Sequence, residues 1–132
     1  MMTRQATRKD LSAIGLIQGA SSWFPADYLD YDCRVAVVGH IVAGFVASRQ
    51  TAPGEREILN IAVAPAQRRQ GIARRLLEEE LAGSPGAWFL EVRESNTAAI
   101  SLYETLGFQI TGRRQDYYID PIEAAIVMRF FS

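Results

Sequence analysis

The chain has few of the residues that support metal and covalent chemistry. Among its 132 residues there is one cysteine, Cys33, and one histidine, His40. A single cysteine excludes an internal disulfide and fits a reducing compartment, and the two residues supply too few ligands for a zinc site. His40 is a predicted turn residue between two apolar runs, and Cys33 is expected to pack as a small hydrophobic residue. We therefore expect no metal, and we assign the chemistry to carboxylates, tyrosines and backbone groups.

The chain also lacks a charge excess of either sign and any long apolar run. Its 14 basic and 15 acidic residues give a formal charge of −1, which argues against a general nucleic-acid binder. No stretch approaches the ~18 apolar residues of a membrane span, and the N-terminus lacks the apolar core of a signal peptide. With 48% hydrophobic residues, we expect a single cytoplasmic domain over 1–132, with no membrane or nucleic-acid partner.

Hydrophobic periodicity predicts alternating strands and helices. Strands are expected at 3–7, 34–38, 41–49, 57–63, 87–93, 108–112 and 122–131. Helices are expected at 10–19, in a short segment from Trp23, at 69–82 and at 96–106, the last ended by Gly107. The order β-α-α-β-β-β-α-β-α-β-β predicts an α/β fold, with a mixed sheet of about seven strands and helices on both faces.

The most informative segment runs from Ile61 to Ala73. An apolar strand leads into a turn at Pro65, then into Arg68-x-x-Gly71-x-Ala73 and a helix. A strand, a tight loop and a helix N-terminus form an anion cradle, because first-turn amides lack intrahelical partners and the dipole is positive there. Gly71 would let the backbone approach a ligand closely, since it has no Cβ. The segment therefore predicts a phosphate-binding loop.

The charges of this helix run against its dipole. Arginines open the segment and glutamates follow, at Arg68, Arg69, Arg74, Arg75, Glu78, Glu79 and Glu80. The dipole favours the reverse order by ~0.3–1 kcal/mol for each charge, and the pairs Arg74–Glu78 and Arg75–Glu79 have the poorer orientation. This placement indicates that a negative group docks at the helix start. The alternative is a solvated, salt-bridged surface helix.

Two pieces downstream complete a recognisable pattern. One is the strand 90–93 with its carboxylate Glu91, and the other runs from Asn96 to Phe108. These two pieces, the strand segment Asn60–Val63 and the Arg68–Ala73 loop follow one another in the chain. This pattern resembles the GNAT acetyltransferase superfamily. Within it the chain resembles the bacterial enzymes that acetylate the N-terminal alanine of a ribosomal protein, the RimI type. The resemblance implies a GNAT fold and acetyl-CoA as co-substrate.

The resemblance also implies where acetyl-CoA is held. Its pyrophosphate would lie on the loop amides, and its pantetheine arm would pair with the preceding strand as an extra strand does. The implied contacts are Ile61, Ala62, Val63, Arg68, Arg69, Gln70, Gly71, Ile72, Ala73 and Asn96. A main-chain N–H near Ile61 or Val63 would hold the thioester carbonyl and the oxyanion that develops from it. Asn96 is also a predicted helix N-cap, and capping could be its sole duty.

Two residues are implied in catalysis, Glu91 as a base acting through water and Tyr103 as the acid for the departing thiolate. Strand alternation places Glu91 and Arg93 on the face opposite Leu90. A phenol with an ordinary pKa near ~10 can donate a proton at neutral pH. Each role has a plainer alternative: Glu91 could pair with an arginine such as Arg93, and Tyr103 could be a core residue of its helix.

Aromatic residues are implied around the acceptor, on two sides. One side is formed by Trp23 and Phe24 with Tyr28, and the other by Tyr117 and Tyr118. All of them could instead be structural residues. Glu104, Arg113 and Arg114 are assigned no role beyond solvated surface.

The chain departs from the family pattern at two places. Ala73 replaces the usual second glycine of the loop, which is tolerated because that residue is already helical. The segment 118–123 is shorter than in the ribosomal-protein enzymes. Because that segment helps to recognise the acceptor, its length leaves the acceptor less constrained than the chemistry.

These features predict an acetyl-CoA-dependent N-acetyltransferase. No plausible nucleophilic cysteine supports a covalent intermediate, so direct attack in a ternary complex is expected. The favoured acceptor is a protein N-terminal amine, such as the N-terminal alanine of a ribosomal protein. Alternatives are a small-molecule amine as acceptor (a polyamine, amino acid or drug) and a non-catalytic acyl-CoA-binding module.

Overall fold

The computed structural model describes residues 1–18, 24–119 and 121–131. Its strands are β1 (Met2–Gln5), β2 (Asp32–Val38), β3 (Ile41–Ala52), β4 (Glu55–Val63), β5 (Ala87–Arg93), β6 (Gln109–Tyr118) and β7 (Glu123–Phe131). Its helices are α1 (Leu11–Gln18), α2 (Ile72–Gly83) and α3 (Thr97–Thr105), with short 3-10 turns at Arg8–Asp10, Pro25–Asp30 and Pro65–Gln67. In this described part, no helix has the length and apolar character needed to cross a membrane.

The strands form a seven-stranded mixed sheet in the order β1-β2-β3-β4-β5-β7-β6. β1 with β2, β2 with β3, β5 with β7 and β6 with β7 are antiparallel pairs. β4 and β5 run parallel, with Glu55–Glu57 opposite Ala87–Phe89. The predicted α/β fold with a mixed sheet is therefore confirmed, and the parallel pair is the one that the intervening helix α2 requires.

Several predicted boundaries differ from the structure by a few residues, and three of these differences lie near the candidate site. The helix expected at 69–82 begins at Ile72, because Arg69 and Gly71 have φ of 66° and 75°, outside the helical region. The strand expected to end at residue 112 continues to Tyr118, because β7 pairs with it as far as Glu123. The short helix after Phe24 is a 3-10 helix that begins at Pro25, while Trp23 lies outside the described residues.

One compact unit comprises Met1–Arg49 and Leu59–Gly83. Its core is built from side chains of β2, β3, α1 and the turn at Pro25–Asp30, including Ile14, Tyr28, Cys33, Val35, Phe45 and Ala47. The buried side of α2 consists of Ile72, Leu76, Leu77 and Leu81. This apolar stripe fixes the helix, and thereby the position at which the preceding loop ends.

The second compact unit comprises Gln50–Ile58 and Ser84–Ser132. Along β5 buried and partly exposed residues alternate, with Trp88, Leu90 and Val92 buried. Glu91 is consequently on the other face, as the sequence predicted. Gly107 ends α3 with a φ of 106°, and a Cβ there would lie 3.1 Å from the Phe130 ring. That the two units act as one domain stays a prediction.

Candidate active site

The cradle, which we define as residues 68–73, is a loop in the first unit shaped by two left-handed residues. Arg69 and Gly71 both have positive φ, and α2 follows directly at Ile72. The first helical hydrogen bond is donated by the Arg75 amide to the Gly71 carbonyl, at 3.0 Å. Left-handed turn residues before a helix form anion-binding nests, in which the first-turn amides have no intrahelical acceptor. The geometry therefore suits a phosphate group.

The charges around the cradle also suit an anion. The first turn of α2 contains no acidic residue, so nothing on the helix itself complements its positive end. Glu78 and Glu79 lie 3.4 and 3.2 Å from Arg74 and Arg75, which confirms the two predicted i,i+4 pairs. Arg68 lies in the loop rather than in the helix, and its Nε donates to the Val63 carbonyl at 3.3 Å.

The end of β4 is held by a hydrogen-bond network that the sequence did not predict. Asn60 donates to the Tyr28 hydroxyl at 2.9 Å, and its Oδ1 accepts from the Ile61 amide at 2.9 Å. Tyr28 in turn donates to Gln18 at 2.7 Å. Tyr28 is fully buried, so it belongs to the core and not to an acceptor wall. The signal that could have revealed this network was a polar Asn60 within the apolar half of β4, between Leu59 and Ile61.

Glu91 lies on β5 in the second unit. Its side chain is 13% exposed, and Oε1 lies 3.6 Å from Nη1 of Arg114. A hydrogen bond to Glu91 raises the pKa of the Tyr117 hydroxyl, as does partial burial. Arg114 also stacks over the Tyr117 ring, with Cζ 5.5 Å from the ring centroid. We call Glu91, Arg114 and Tyr117 the carboxylate cluster.

The second oxygen of Glu91 has no partner in the part of the chain that the structure describes. Oε2 is buried and makes no hydrogen bond to residues 1–18, 24–119 or 121–131. A buried carboxylate oxygen without a partner is costly, so such atoms occur mainly where a substrate or water completes the site. This atom is therefore a candidate proton acceptor.

The predicted alternative partner of Glu91 is engaged elsewhere. Arg93 lies 3.3 Å from Glu123 and stacks over the Tyr118 ring, 4.3 Å from its centroid. Arg114 is 59% exposed, as expected of a surface residue, but it also contacts Glu91 and Tyr117, which the sequence did not indicate. The sequence could not show this contact, since the two partners are 23 positions apart along the chain.

Tyr103 projects from α3 into the core of the second unit and is 6% exposed. Its ring centroid lies 5.8 Å from that of Phe108. Burial, and secondly the nearby Tyr118, raise the pKa of Tyr103 above its usual value. Burial and then Glu91 raise the pKa of Tyr118 to about 12. Tyr103 therefore remains protonated at neutral pH, as a proton donor must, and it is also a core residue.

The structure also shows the surroundings of Asn96, of three predicted acceptor-side aromatic residues and of the single cysteine. Asn96 is the N-cap of α3, since its Oδ1 accepts from the Ala99 amide at 3.2 Å. Cys33 is buried, and burial raises the pKa of its thiol to about 12. Phe24 is 75% exposed. The structure places Tyr117 and Tyr118 at the end of β6, with their rings edge to face at 5.1 Å.

Known proteins resemble this chain in both sequence and fold. Residues 30–110 match the family model described as an acetyltransferase (GNAT) domain. The N-alpha-acetyltransferase RimI of Mycobacterium tuberculosis is 46% identical over 77 residues, which are 58% of this chain and 49% of that protein. The ribosomal protein bS18-alanine N-acetyltransferase of Escherichia coli is 46% identical over 89 residues, which are 62% of this chain and 60% of that enzyme.

A solved structure of the same family also resembles this chain. The crystal structure of the E. coli ribosomal-protein alanine N-acetyltransferase has a TM-score of 0.85 and 32% identity, covering 98% of this chain and 92% of that one. The chain spans between 29% and 60% of the length of the first curated relatives it matches. The family model nevertheless covers more than half of the chain, across the cradle, Glu91 and Tyr103. The chain belongs to the GNAT acetyltransferase family.

Proposed function

We propose that this chain transfers the acetyl group of acetyl-CoA to the N-terminal amine of a protein. Relatives of the RimI type, with 46% identity over the matched segments, carry names that state this activity. The acceptor that we propose is the N-terminal alanine of a ribosomal protein, and we propose that the reaction takes place in the cytoplasm. The observation that carries the proposal is the buried, unpartnered Oε2 of Glu91 among the described residues.

The cradle supports the donor half of this proposal. Positive φ at Arg69 and Gly71, first-turn amides and exposed Arg68 and Arg69 suit the two phosphates of a pyrophosphate. We propose that Gln70, Ile72 and Ala73 contribute main-chain contacts to the same group. When bound, acetyl-CoA supplies an acetyl group activated as a thioester.

The strand before the cradle is proposed to hold the pantetheine arm. Main-chain groups of Ile61, Ala62 and Val63 would pair with it, and Asn96 would add a side-chain contact. The Ile61 amide already donates to Asn60, and the Val63 carbonyl already accepts from Arg68. Because a carbonyl oxygen has two lone pairs, Val63 can accept a second hydrogen bond. Because the Ile61 amide is already engaged with Asn60, we expect Ile61 to pair with the ligand through its carbonyl oxygen.

The carboxylate cluster supports the acceptor half. Glu91 is proposed to take a proton from the amine through a water molecule, as the nitrogen bonds to the thioester carbon. An α-amino group has a pKa near ~7.7–8 and is largely protonated at neutral pH, so a base is needed. Tyr103 is proposed to protonate the sulfur as the carbon–sulfur bond breaks. The proton held by Glu91 returns to solvent, and Tyr103 regains one.

A direct transfer fits the state of the single cysteine. Cys33 is 3% exposed and its thiol has a raised pKa. The thiolate is the nucleophilic form of cysteine, and a thiol with a raised pKa forms little thiolate at neutral pH. We therefore propose that acetyl passes from donor to amine in a ternary complex. The exposed Phe24, together with Trp23, Tyr117 and Tyr118, is proposed to contact the acceptor.

The test is an acetylation assay read by mass spectrometry. Acetyl-CoA is offered with short peptides that differ only in their first residue, and separately with spermidine and free lysine. We expect a product of one added acetyl group on peptide N-termini, with alanine preferred. A matched peptide whose N-terminus is blocked should remain unmodified, and fragmentation should place the group on the α-amine.

Other outcomes of this assay would redirect the proposal. Acetylation of the small amines alone would overturn the protein acceptor and favour a metabolite enzyme. The absence of any product, with CoA binding still measurable by calorimetry, would favour an acyl-CoA-binding module instead.

Replacing Gly71 with valine should weaken acetyl-CoA binding by about 10-fold or more, because the cradle depends on a left-handed residue there. At a φ of 75°, a β-branched side chain costs about 1–3 kcal/mol. A Cβ at this position meets no protein atom within 4 Å, so the added methyl groups would occupy ligand space. Calorimetric titration with CoA measures the effect.

The control for Gly71 is Gly39→Val in the turn between β2 and β3. Gly39 has a φ of 64° and also has nothing within 4 Å of a Cβ. Both variants should therefore lose similar thermal stability, but only Gly71→Val should lose affinity for CoA. An unchanged dissociation constant for Gly71→Val would contradict the assignment of the cradle.

A further inference from the structure

The carboxylate cluster contains a contact that the proposed chemistry does not yet use. Arg114 is 59% exposed, yet its guanidinium lies 3.6 Å from Oε1 of the mostly buried Glu91. It also covers the ring of Tyr117, whose hydroxyl bonds to the same carboxylate. Each of the three groups therefore contacts the other two. Oε1 of Glu91 faces Arg114, while Oε2 has no hydrogen-bond partner among the described residues.

An irregularity in β6 creates this arrangement. Arg114 pairs with Ala125 and Tyr118 with Glu123, so four steps of β6 stand opposite two steps of β7. Within this stretch Asp116 has a φ of 53°. In a regular strand Arg114 and Tyr117 would point to opposite faces, because they are three positions apart and side chains alternate between the faces. The bulge brings both side chains to Glu91, as bulges near functional sites often do.

The backbone strain at Asp116 supports a functional reading of the bulge. A non-glycine residue in the left-handed region costs free energy and persists only where surrounding structure holds it. Aspartate tolerates this region better than most residues, since its short side chain can bond locally. The chain thus keeps a strained backbone at the point where Tyr117 turns toward Glu91.

We propose that Arg114 is a positioning residue for Glu91. Together with Tyr117 it holds the carboxylate in one orientation, with Oε2 directed to the acceptor amine or to the water that relays its proton. This inference rests on the proposed function, because it assigns Arg114 a role only if Glu91 is the base. It does not require that Arg114 touch either substrate.

The role follows from what a base needs. A glutamate side chain has three rotatable bonds, and a productive geometry requires that they be fixed before the amine arrives. An opposite charge close to the carboxylate offsets the cost of removing its charge from water. Arg114 supplies that charge at 3.6 Å, and Tyr117 is hydrogen-bonded to the same carboxylate, which is the main cause of its raised pKa. The planar guanidinium can do so while lying on the Tyr117 ring.

The test compares three variants with the acceptor peptide that the wild-type chain acetylates best. Arg114→Met removes the charge and keeps the length, while Arg114→Lys restores the charge. Arg113→Met removes the neighbouring guanidinium, which bonds to Glu94 at 2.6 and 3.0 Å and not to Glu91. We expect Arg114→Met to lower kcat about 10-fold with KM for acetyl-CoA unchanged. Arg114→Lys should recover most of that loss, and Arg113→Met should match the wild type.

A double-mutant cycle shows whether Arg114 acts through Glu91. In a Glu91→Gln chain, adding Arg114→Met should lower kcat by less than about 2-fold, because the base is already absent. A purely structural arginine would instead lower kcat by the same factor in both chains. Circular dichroism melting curves confirm that each variant is folded.

A spectroscopic measurement tests the contact without turnover. Titration of phenol absorbance, with Tyr117→Phe as the difference reference, reports the pKa of Tyr117. Glu91 raises that pKa and Arg114 lowers it, so Glu91→Gln should shift it down and Arg114→Met should shift it up.

The outcomes separate this inference from the function on which it rests. If the wild type acetylates its peptide and Arg114→Met keeps the full kcat, the positioning role is overturned. The proposed N-acetyltransferase activity would then still stand. An additive double mutant, or a Tyr117 pKa indifferent to Arg114, would overturn it as well. No turnover by the wild type on any amine would overturn the proposed function and the role of Arg114 with it.

Discussion

Replacing Glu91 with glutamine should lower kcat for peptide acetylation by about 10²-fold or more, with acetyl-CoA binding near the wild-type value. Glutamine has the same length and can still accept a hydrogen bond from Tyr117, but an amide oxygen does not take up a proton at neutral pH. The side chain is only 13% exposed, so the substitution preserves the packing of β5. Steady-state kinetics and calorimetric titration with CoA separate the two effects.

The pH dependence of this defect has a definite sign. An α-amino group loses its proton to solvent as the pH rises through about 7.7–8. Above that range the substrate arrives as a free amine and needs the base less. The ratio of wild-type to Glu91→Gln activity should therefore fall between pH 7 and 9.5.

The matched control is Glu104→Gln, on the exposed side of α3 in the same unit. It makes the same chemical change away from the carboxylate cluster and should leave kcat unchanged. If Glu91→Gln kept full turnover at pH 7, Glu91 would be only the ion-pair partner of Arg114.

The order of strands and helices could be predicted because it depends on local patterns. In β5 the buried Trp88, Leu90 and Val92 alternate with polar or partly exposed residues, which is the period of a strand with one buried face. In α2 the buried residues recur every three to four positions. Both patterns are written in consecutive residues and need no knowledge of what packs against them.

The predicted boundaries were wrong where consecutive residues carry no signal for the backbone conformation. The start of α2 is delayed by left-handed residues, and one of them is Arg69, a residue type that gives no sequence signal for positive φ. The end of β6 is set by pairing with β7 as far as Glu123. Local propensity does not encode either constraint.

The candidate site shows the same division. The loop from Arg68 to Ala73 and the strand with Glu91 are contiguous motifs, so the sequence displayed them. The contact of Glu91 with Arg114 depends on two strands that are adjacent to β7 on opposite sides and on a bulge in one of them. The network of Asn60, Tyr28 and Gln18 likewise joins three separate segments. Side-chain partners across a sheet require the register, and the register was not predictable here.

Replacing Tyr103 with phenylalanine should lower kcat by about 10²-fold while the free energy of unfolding changes little. The ring would keep its contact with Phe108, at a centroid distance of 5.8 Å. The Tyr103 carbonyl would keep its hydrogen bonds from the amides of Leu106 and Phe108. Only the hydroxyl is lost, so a fall in kcat isolates proton donation from packing.

Two comparisons decide whether Tyr103 is the acid or only a core residue. Tyr31→Phe removes a phenol hydroxyl from the other unit and should leave kcat unchanged. An acyl donor whose thiol has a low pKa needs little protonation as it leaves, so the defect of Tyr103→Phe should shrink with such a donor. A core role predicts the opposite pattern: a lower melting temperature, an intact kcat, and no dependence on the leaving group. Because burial raises the pKa of Tyr103, its phenol stays protonated across the working range, and the activity it supplies should not decline below pH 9.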